Sequence, residues 1–216
     1  MTNQHAGSMK FGLSLLTLVL IFGTCMPAQA QGRMPPIPPD KMTPEQQRAA
    51  AEFMKTRDAK ALPGPFIALL RSPNLLNLAS NMGIWTRKTS LPPRLFEFVV
   101  IITSRELTQN FEWRGHSASA LKGGLSQEIV AAVAEGRRPL RMAEDEEIVY
   151  DFTTELLKNK GVSDPTYART VSKFGEEGVI DIIGISGYYN LIGLVLNVAH
   201  TPLGEGAEPG LKPFPR

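Results

Sequence analysis

The stretch from Pro92 to Gly123 constrains this chain more than any other. Leu95, Phe96, Val99, Ile102 and Leu107 recur at helical spacing, and Phe111, Ala118 and Leu121 follow. Apolar residues three and four apart share one face of a helix. The run Val99-Val100-Ile101-Ile102 is β-branched, but no hairpin turn residues flank it, so it reads as buried helix. Set into this apolar pattern are Glu97 and the run Gln109 to His116. Glu112 and His116 stand four residues apart, with Gln109 three before Glu112, so all three lie on one helical face. A carboxylate and an imidazole taken out of water side by side are costly unless something compensates, and proton chemistry is one compensation. The spacing therefore points to an acid–base site.

The remaining segments are also helical in pattern. Thr43 opens a helix with Pro44 at its first position and Gln46 completing a capping box, running to about Arg57. Between Leu62 and Ser90 short helical pieces alternate with prolines, and Phe66, Leu69, Leu70, Leu75, Leu78 and Trp85 are expected to pin them to the core. Ser126-Gln127-Glu128 starts a helix that stops near Gly136. Another spans roughly Ala143 to Asn159, acidic at its start and carrying lysine at its end, as the helix dipole favours. Asp164-Pro165 caps the next, and a strongly apolar segment runs from Glu176 to about His200. Nothing alternates as a strand does, and no internal repeat is present. The expected class is all-α.

The first 30 residues read as a secretory signal peptide. Lys10 precedes an apolar run from Phe11, and Ala28-Gln29-Ala30 supplies the small-residue exit, so cleavage is expected after Ala30. This makes the chain an exported protein, periplasmic or secreted, with no membrane association after cleavage. Cys25 is the one cysteine and would leave with the leader. The remainder would then have no thiolate, disulfide or cysteine ligand. Losing Lys10 brings the 23 basic side chains to within one of the 21 acidic ones, which removes any electrostatic case for a nucleic-acid partner. Residues 31–42 form a Pro-rich lead-in, 43–203 the helical domain, and 204–216 a Gly/Pro-rich segment expected to be a flexible tail.

Three pieces together resemble the carboxymuconolactone decarboxylase family, which includes the AhpD-type proteins. They are Arg94-Leu95-Phe96-Glu97, then Asn110-Phe111-Glu112-Trp113-Arg114-Gly115-His116, then Ala120-Leu121-Lys122-Gly123-Gly124-Leu125-Ser126, with Gly187-Tyr188-Tyr189-Asn190 on the last helix. The resemblance covers roughly Leu91 to Leu203. It implies an AhpD-like helical domain that assembles as a trimer or hexamer, with sites near subunit contacts. It also implies no metal and no organic cofactor. The AhpD branch carries Cys-x-x-Cys where this chain has Gln109 and Glu112, so disulfide-based peroxide reduction is not expected here. What remains is the decarboxylase type: a lyase, or a proton-transfer isomerase, acting on an unsaturated lactone or related carboxylic acid.

On that reading His116 is the general acid–base, Glu112 orients it or shares its proton, and Glu97 polarises the site. Arg94, one helical turn before Glu97, would anchor a substrate carboxylate, while Gln109, Tyr188, Tyr189 and Asn190 would line the pocket. Plainer readings stand beside these. Glu112 and His116 can be a structural pair worth about 0.3–0.5 kcal/mol if exposed. Arg94 and Glu97 can be a salt bridge, Trp113 core packing and His200 a helix cap. Glu97, Glu112 and His116 also offer a two-carboxylate, one-imidazole metal set, a minor alternative. A non-enzymatic exported oligomer that binds a small aromatic or lactone acid is the remaining one.

Overall fold

The computed structural model describes residues 1–2, 32–204 and 206–214; the apolar leader and its cleavage site lie outside them. Among the described residues regular structure is entirely helical: α1 (Pro44–Arg57), α2 (Pro65–Leu69), α3 (Pro73–Trp85), α4 (Pro93–Glu106), α5 (Asn110–Lys122), α6 (Gln127–Ala134), α7 (Glu144–Asn159) and α8 (Asp164–Ala199). Short 3-10 turns occupy Pro39–Lys41 and Thr86–Lys88.

Local chemistry sets most boundaries. The Thr43 hydroxyl accepts from the Gln46 backbone N–H at 3.3 Å, and the Gln46 side chain accepts from the Thr43 N–H at 3.0 Å. This reciprocal pair satisfies two donors that the first turn of α1 cannot. Ser126 starts α6 in the same way, accepting from the Ile129 N–H at 3.2 Å. Gly175, at φ 69° and ψ 177°, interrupts α8. Only glycine adopts that backbone freely, so the chain bends there and the apolar segment starts at Glu176.

α4 is the axis of the molecule, packed by α5, α7 and α8. Every residue from Leu95 to Arg105 is buried. A helix buried all round needs apolar residues on every side, which explains the unbroken Phe98–Ile102 run. After α4, Thr108 adopts φ 49°, strained for a β-branched residue, and the chain reverses into α5. That reversal lays α5 against α4 and brings His116 onto Glu97.

Three expectations need correction. Leu75, Leu78 and Trp85 do not sit in the core: they are exposed, Leu78 to 67%. Their 3.6-residue periodicity was shared between two faces of α3, and only the face carrying Leu76 and Ala79 meets the rest of the fold. Residues 206–214 are not a loose tail. Leu211 is buried, the Asn110 side chain accepts from its N–H at 2.7 Å, and Arg105 Nη1 donates to the Lys212 carbonyl at 2.7 Å. One buried leucine and two side-chain clamps outweigh a Gly/Pro-rich composition. The boundary at Ala143–Asn159 shifts by one residue, with Ala143 outside the helix as its N-cap.

Candidate active site

The candidate site is a closed chain of charged and phenolic groups where α4, α5 and α8 meet. His116 Nδ1 lies 2.6 Å from Glu97 Oε2, and Nε2 lies 3.3 Å from Glu112 Oε2. The imidazole is therefore clasped at both edges by carboxylates, one from its own helix and one from α4. The face of the ring is closed by Tyr189, whose ring stands edge-on at 4.9 Å. Glu97 and Glu112 are themselves buried, so neither carboxylate can be satisfied by bulk water.

The cation opposite Glu97 is Arg87, from the 3-10 turn before α4. Its Nη1 donates to Glu97 Oε1 at 3.2 Å and its Nη2 to the Tyr189 hydroxyl at 3.3 Å, while its guanidinium lies 4.7 Å from the Phe96 ring centroid. Asp181 of α8 accepts from both the backbone N–H and the hydroxyl of Ser90 at 2.7 Å, which fastens the Arg87 turn to α8. The Arg87 side chain is 54% exposed against 7% for Glu97, so the cluster opens to solvent on the arginine side.

Electrostatics follow from this arrangement. Burial pushes the His116 imidazolium toward losing its proton, but hydrogen bonds to Glu112 and Glu97 and their charges outweigh it, and its pKa is raised above the usual value. With His116 protonated, two carboxylates face two cations and the buried cluster is neutral. Burial first, with Glu112 and its neighbours adding, drives the Tyr189 pKa far up, so it stays a phenol. Because Tyr189 oxygen accepts from Arg87, its own O–H remains available to donate.

The other expected site residues go elsewhere. Arg94 does not join the cluster: it is held by Asp145 at 2.7 Å and by Glu146, both at the start of α7. One turn of helix separates Arg94 from Glu97, but the two face different neighbours. Gln109 is the N-cap of α5, its Oε1 accepting from the Phe111 N–H at 2.6 Å and its Nε2 donating to Asn197 Oδ1 at 2.7 Å. Both ends of the amide are used structurally. Tyr188 packs edge-on against Tyr189 at 5.1 Å with its hydroxyl turned toward Gly83 and Arg57. Asn190 is half-buried one position past Tyr189. Trp113 is buried against Gly210, and His200 is the C-cap residue of α8, as their positions suggested.

The metal alternative fails on geometry. An imidazole offers an ion one nitrogen, whereas Glu97 and Glu112 lie at opposite edges of the His116 ring. No group of three candidate ligands converges among the described residues. Sequence reasoning missed Arg87 because no helical register links it to Glu97: the turn through Ser90, Leu91 and Pro92 lies between them.

Fold and site together define an all-helical scaffold carrying one buried carboxylate–imidazole–carboxylate cluster. A related helical fold is found in the debrominase Bmp8, whose apo crystal structure superposes with a TM-score of 0.61. The match covers 80% of this chain and 92% of that one at 13% identity, a likeness of fold alone. No family model matches the chain, and no curated protein matches its sequence.

Proposed function

We propose that this chain is an exported, cofactor-free enzyme that moves a proton to or from carbon in a small unsaturated carboxylic acid, with decarboxylation of a lactone acid as the leading reaction. The observation that carries this reading is the His116 imidazole buried between Glu97 and Glu112 with a raised pKa. Nδ1, at 2.6 Å from Glu97, is the anchored nitrogen, and Nε2, at the longer 3.3 Å contact, is the working one. Glu112 yields Nε2 to the substrate and afterwards passes back to it a proton taken up from solvent. Arg87 holds the substrate carboxylate at the open edge of the cluster. As the carbon–carbon bond to that carboxylate breaks, its electron pair moves into the unsaturated lactone carbonyl. The Tyr189 O–H donates to the developing oxyanion. His116 then delivers its proton to carbon, so that one proton is consumed for each CO2 released.

One observation favours a second reading, a non-enzymatic binder of small aromatic or lactone acids. Both nitrogens of His116 are already engaged, as in an ion-pair network whose task is structural. Homo-oligomer formation fits either reading, since Ile180, Ile183, Leu194 and Val198 expose an apolar side of α8 that a second copy would cover.

The deciding experiment follows 4-carboxymuconolactone and related unsaturated lactone acids for CO2 release and solvent deuterium uptake. Wild type is compared with His116→Ala and Glu97→Gln. Turnover that disappears in both variants while helicity is retained supports acid–base chemistry at this cluster. Deuterium uptake without CO2 makes the enzyme an isomerase. No turnover by wild type on any of these acids overturns the lyase reading and leaves the binder.

A further inference from the structure

At the far end of α4 from the acid–base cluster, Arg105 is buried to 5% exposure and forms no ion pair among the described residues, the neighbouring Glu106 acting on it only at longer range. Its one hydrogen bond is from Nη1 to the Lys212 carbonyl at 2.7 Å, and Nε has no partner. The Phe214 ring stacks on the guanidinium at 3.5 Å. A carbonyl and an aromatic face compensate a buried cation only in part, because neither carries a charge. Half-buried Arg94 has two carboxylates, whereas half-buried Arg57 is held by the Ser80 hydroxyl and carbonyl between the Phe53 and Phe66 rings; Arg105 is more deeply buried than either and has one hydrogen bond.

Arg105 lines a cleft of about 360 Å³ between α4, α6, α7 and the docked C-terminal segment. That volume lies within the range of about 300–1,000 Å³ typical of small-molecule sites. Leu157 and Phe214 give it apolar walls, and Lys158 stands at the rim with no ion-pair partner among the described residues. Arg137, also at the rim, is already paired with Glu135, and Glu106 is the one acid in the lining. Thus two cations without an ion-pair partner among the described residues border a ligand-sized space of mixed apolar and polar walls.

We propose that this cleft binds a small carboxylic acid with an apolar or aromatic body, its carboxylate on Arg105 and Lys158 and its body against Leu157 and Phe214. The site is separate from the His116 cluster and does not depend on the reading of that cluster. A carboxylate suits a guanidinium whose Nη1 is already committed to a carbonyl, since its remaining charge calls for an anionic acceptor. The apolar walls reject a fully hydrated anion.

Benzoate tests this, titrated into the full chain by calorimetry while the Arg105 side-chain N–H signal is followed by NMR. Benzamide serves as the neutral isostere and inorganic phosphate as an anion without an apolar body. Benzoate is expected to bind and to move the Arg105 signal, with benzamide and phosphate each at least about tenfold weaker, the scale of one lost charge-assisted hydrogen bond. Lys158→Glu, at an exposed position that leaves the fold alone, is expected to weaken benzoate by a similar factor. Arg105→Met is expected to abolish binding, and Lys158→Glu keeps the test decisive should Arg105→Met fail to fold. Equal affinity for benzoate and benzamide, phosphate binding as tight as benzoate, affinity unchanged by Lys158→Glu, or no binding by wild type would each overturn the proposal.

Discussion

Arg94 and Glu97 stand one helical turn apart on α4 and end in opposite circumstances. Arg94 reaches the start of α7, where Asp145 and Glu146 neutralise it and also complement the positive end of that helix. Glu97 reaches across to α5 and α8 and meets an imidazole, a guanidinium and a phenol. The first cluster joins one guanidinium to two carboxylates and ties α4 to α7. The second centres on an imidazole. Two charge-paired clusters on one helix therefore differ in the chemistry open to them according to whether a histidine lies between the carboxylates.

That contrast can be broken most sharply at His116. His116→Ala is expected to lower turnover by about 10²–10⁴-fold, the usual contribution of a positioned acid–base group, with helicity retained. Loss of less than tenfold, by direct rate measurement, would place this cluster with the structural one. Arg94→Met should show the reverse signature. It leaves buried Glu146 without its cation at a cost of about 1–3 kcal/mol in denaturant unfolding, and it leaves the His116 titration unmoved. A shifted His116 titration would mean the two clusters communicate.

A finer test uses pH. The folded pKa of His116 is raised, so the stability it contributes is present in full below its unfolded value of about 6.5 and is lost as the pH rises through the folded value. Wild type should therefore lose stability on the alkaline side of that window, read as the denaturation midpoint against pH. Glu97→Gln removes one of the two groups that raise the value, so the His116 midpoint followed by NMR should move down. A midpoint that stays or rises would show that Glu97 is not the anchor. The smallest effect is expected at Leu78, which is exposed: Leu78→Ser should change monomer stability by no more than about 0.5 kcal/mol. A larger loss that depends on protein concentration would reveal that α3 is covered by a second copy.

Much of this was legible along the chain. The i, i+4 relation of Glu112 and His116 is a property of any helix, and it survives unchanged. Thr43 with Gln46, and Ser126 with Ile129, close their caps within four residues and need nothing distant. Gly175 breaks α8 just where the apolar segment begins, since its own backbone freedom decides the matter. What was hidden involves the choice among faces. Arg94 was expected at the site and Arg87 was not, because helical register relates Arg94 to Glu97 but says nothing of a residue across a proline-rich turn. Gln109 shares the face of Glu112 in register, yet capping geometry and Asn197 claim its amide.

The sequence by itself determined the all-helical class, most helix boundaries and the pairing of Glu112 with His116, because each depends on interactions within a few residues. Only the tertiary structure decided that Glu97 closes the other edge of the imidazole, that Arg87 rather than Arg94 is its cation, that Arg105 lies buried with no ion pair among the described residues, and that residues 206–214 are docked. The physical reason is that a helix presents every residue to some neighbour, while which neighbour arrives is set by the packing of distant elements around α4.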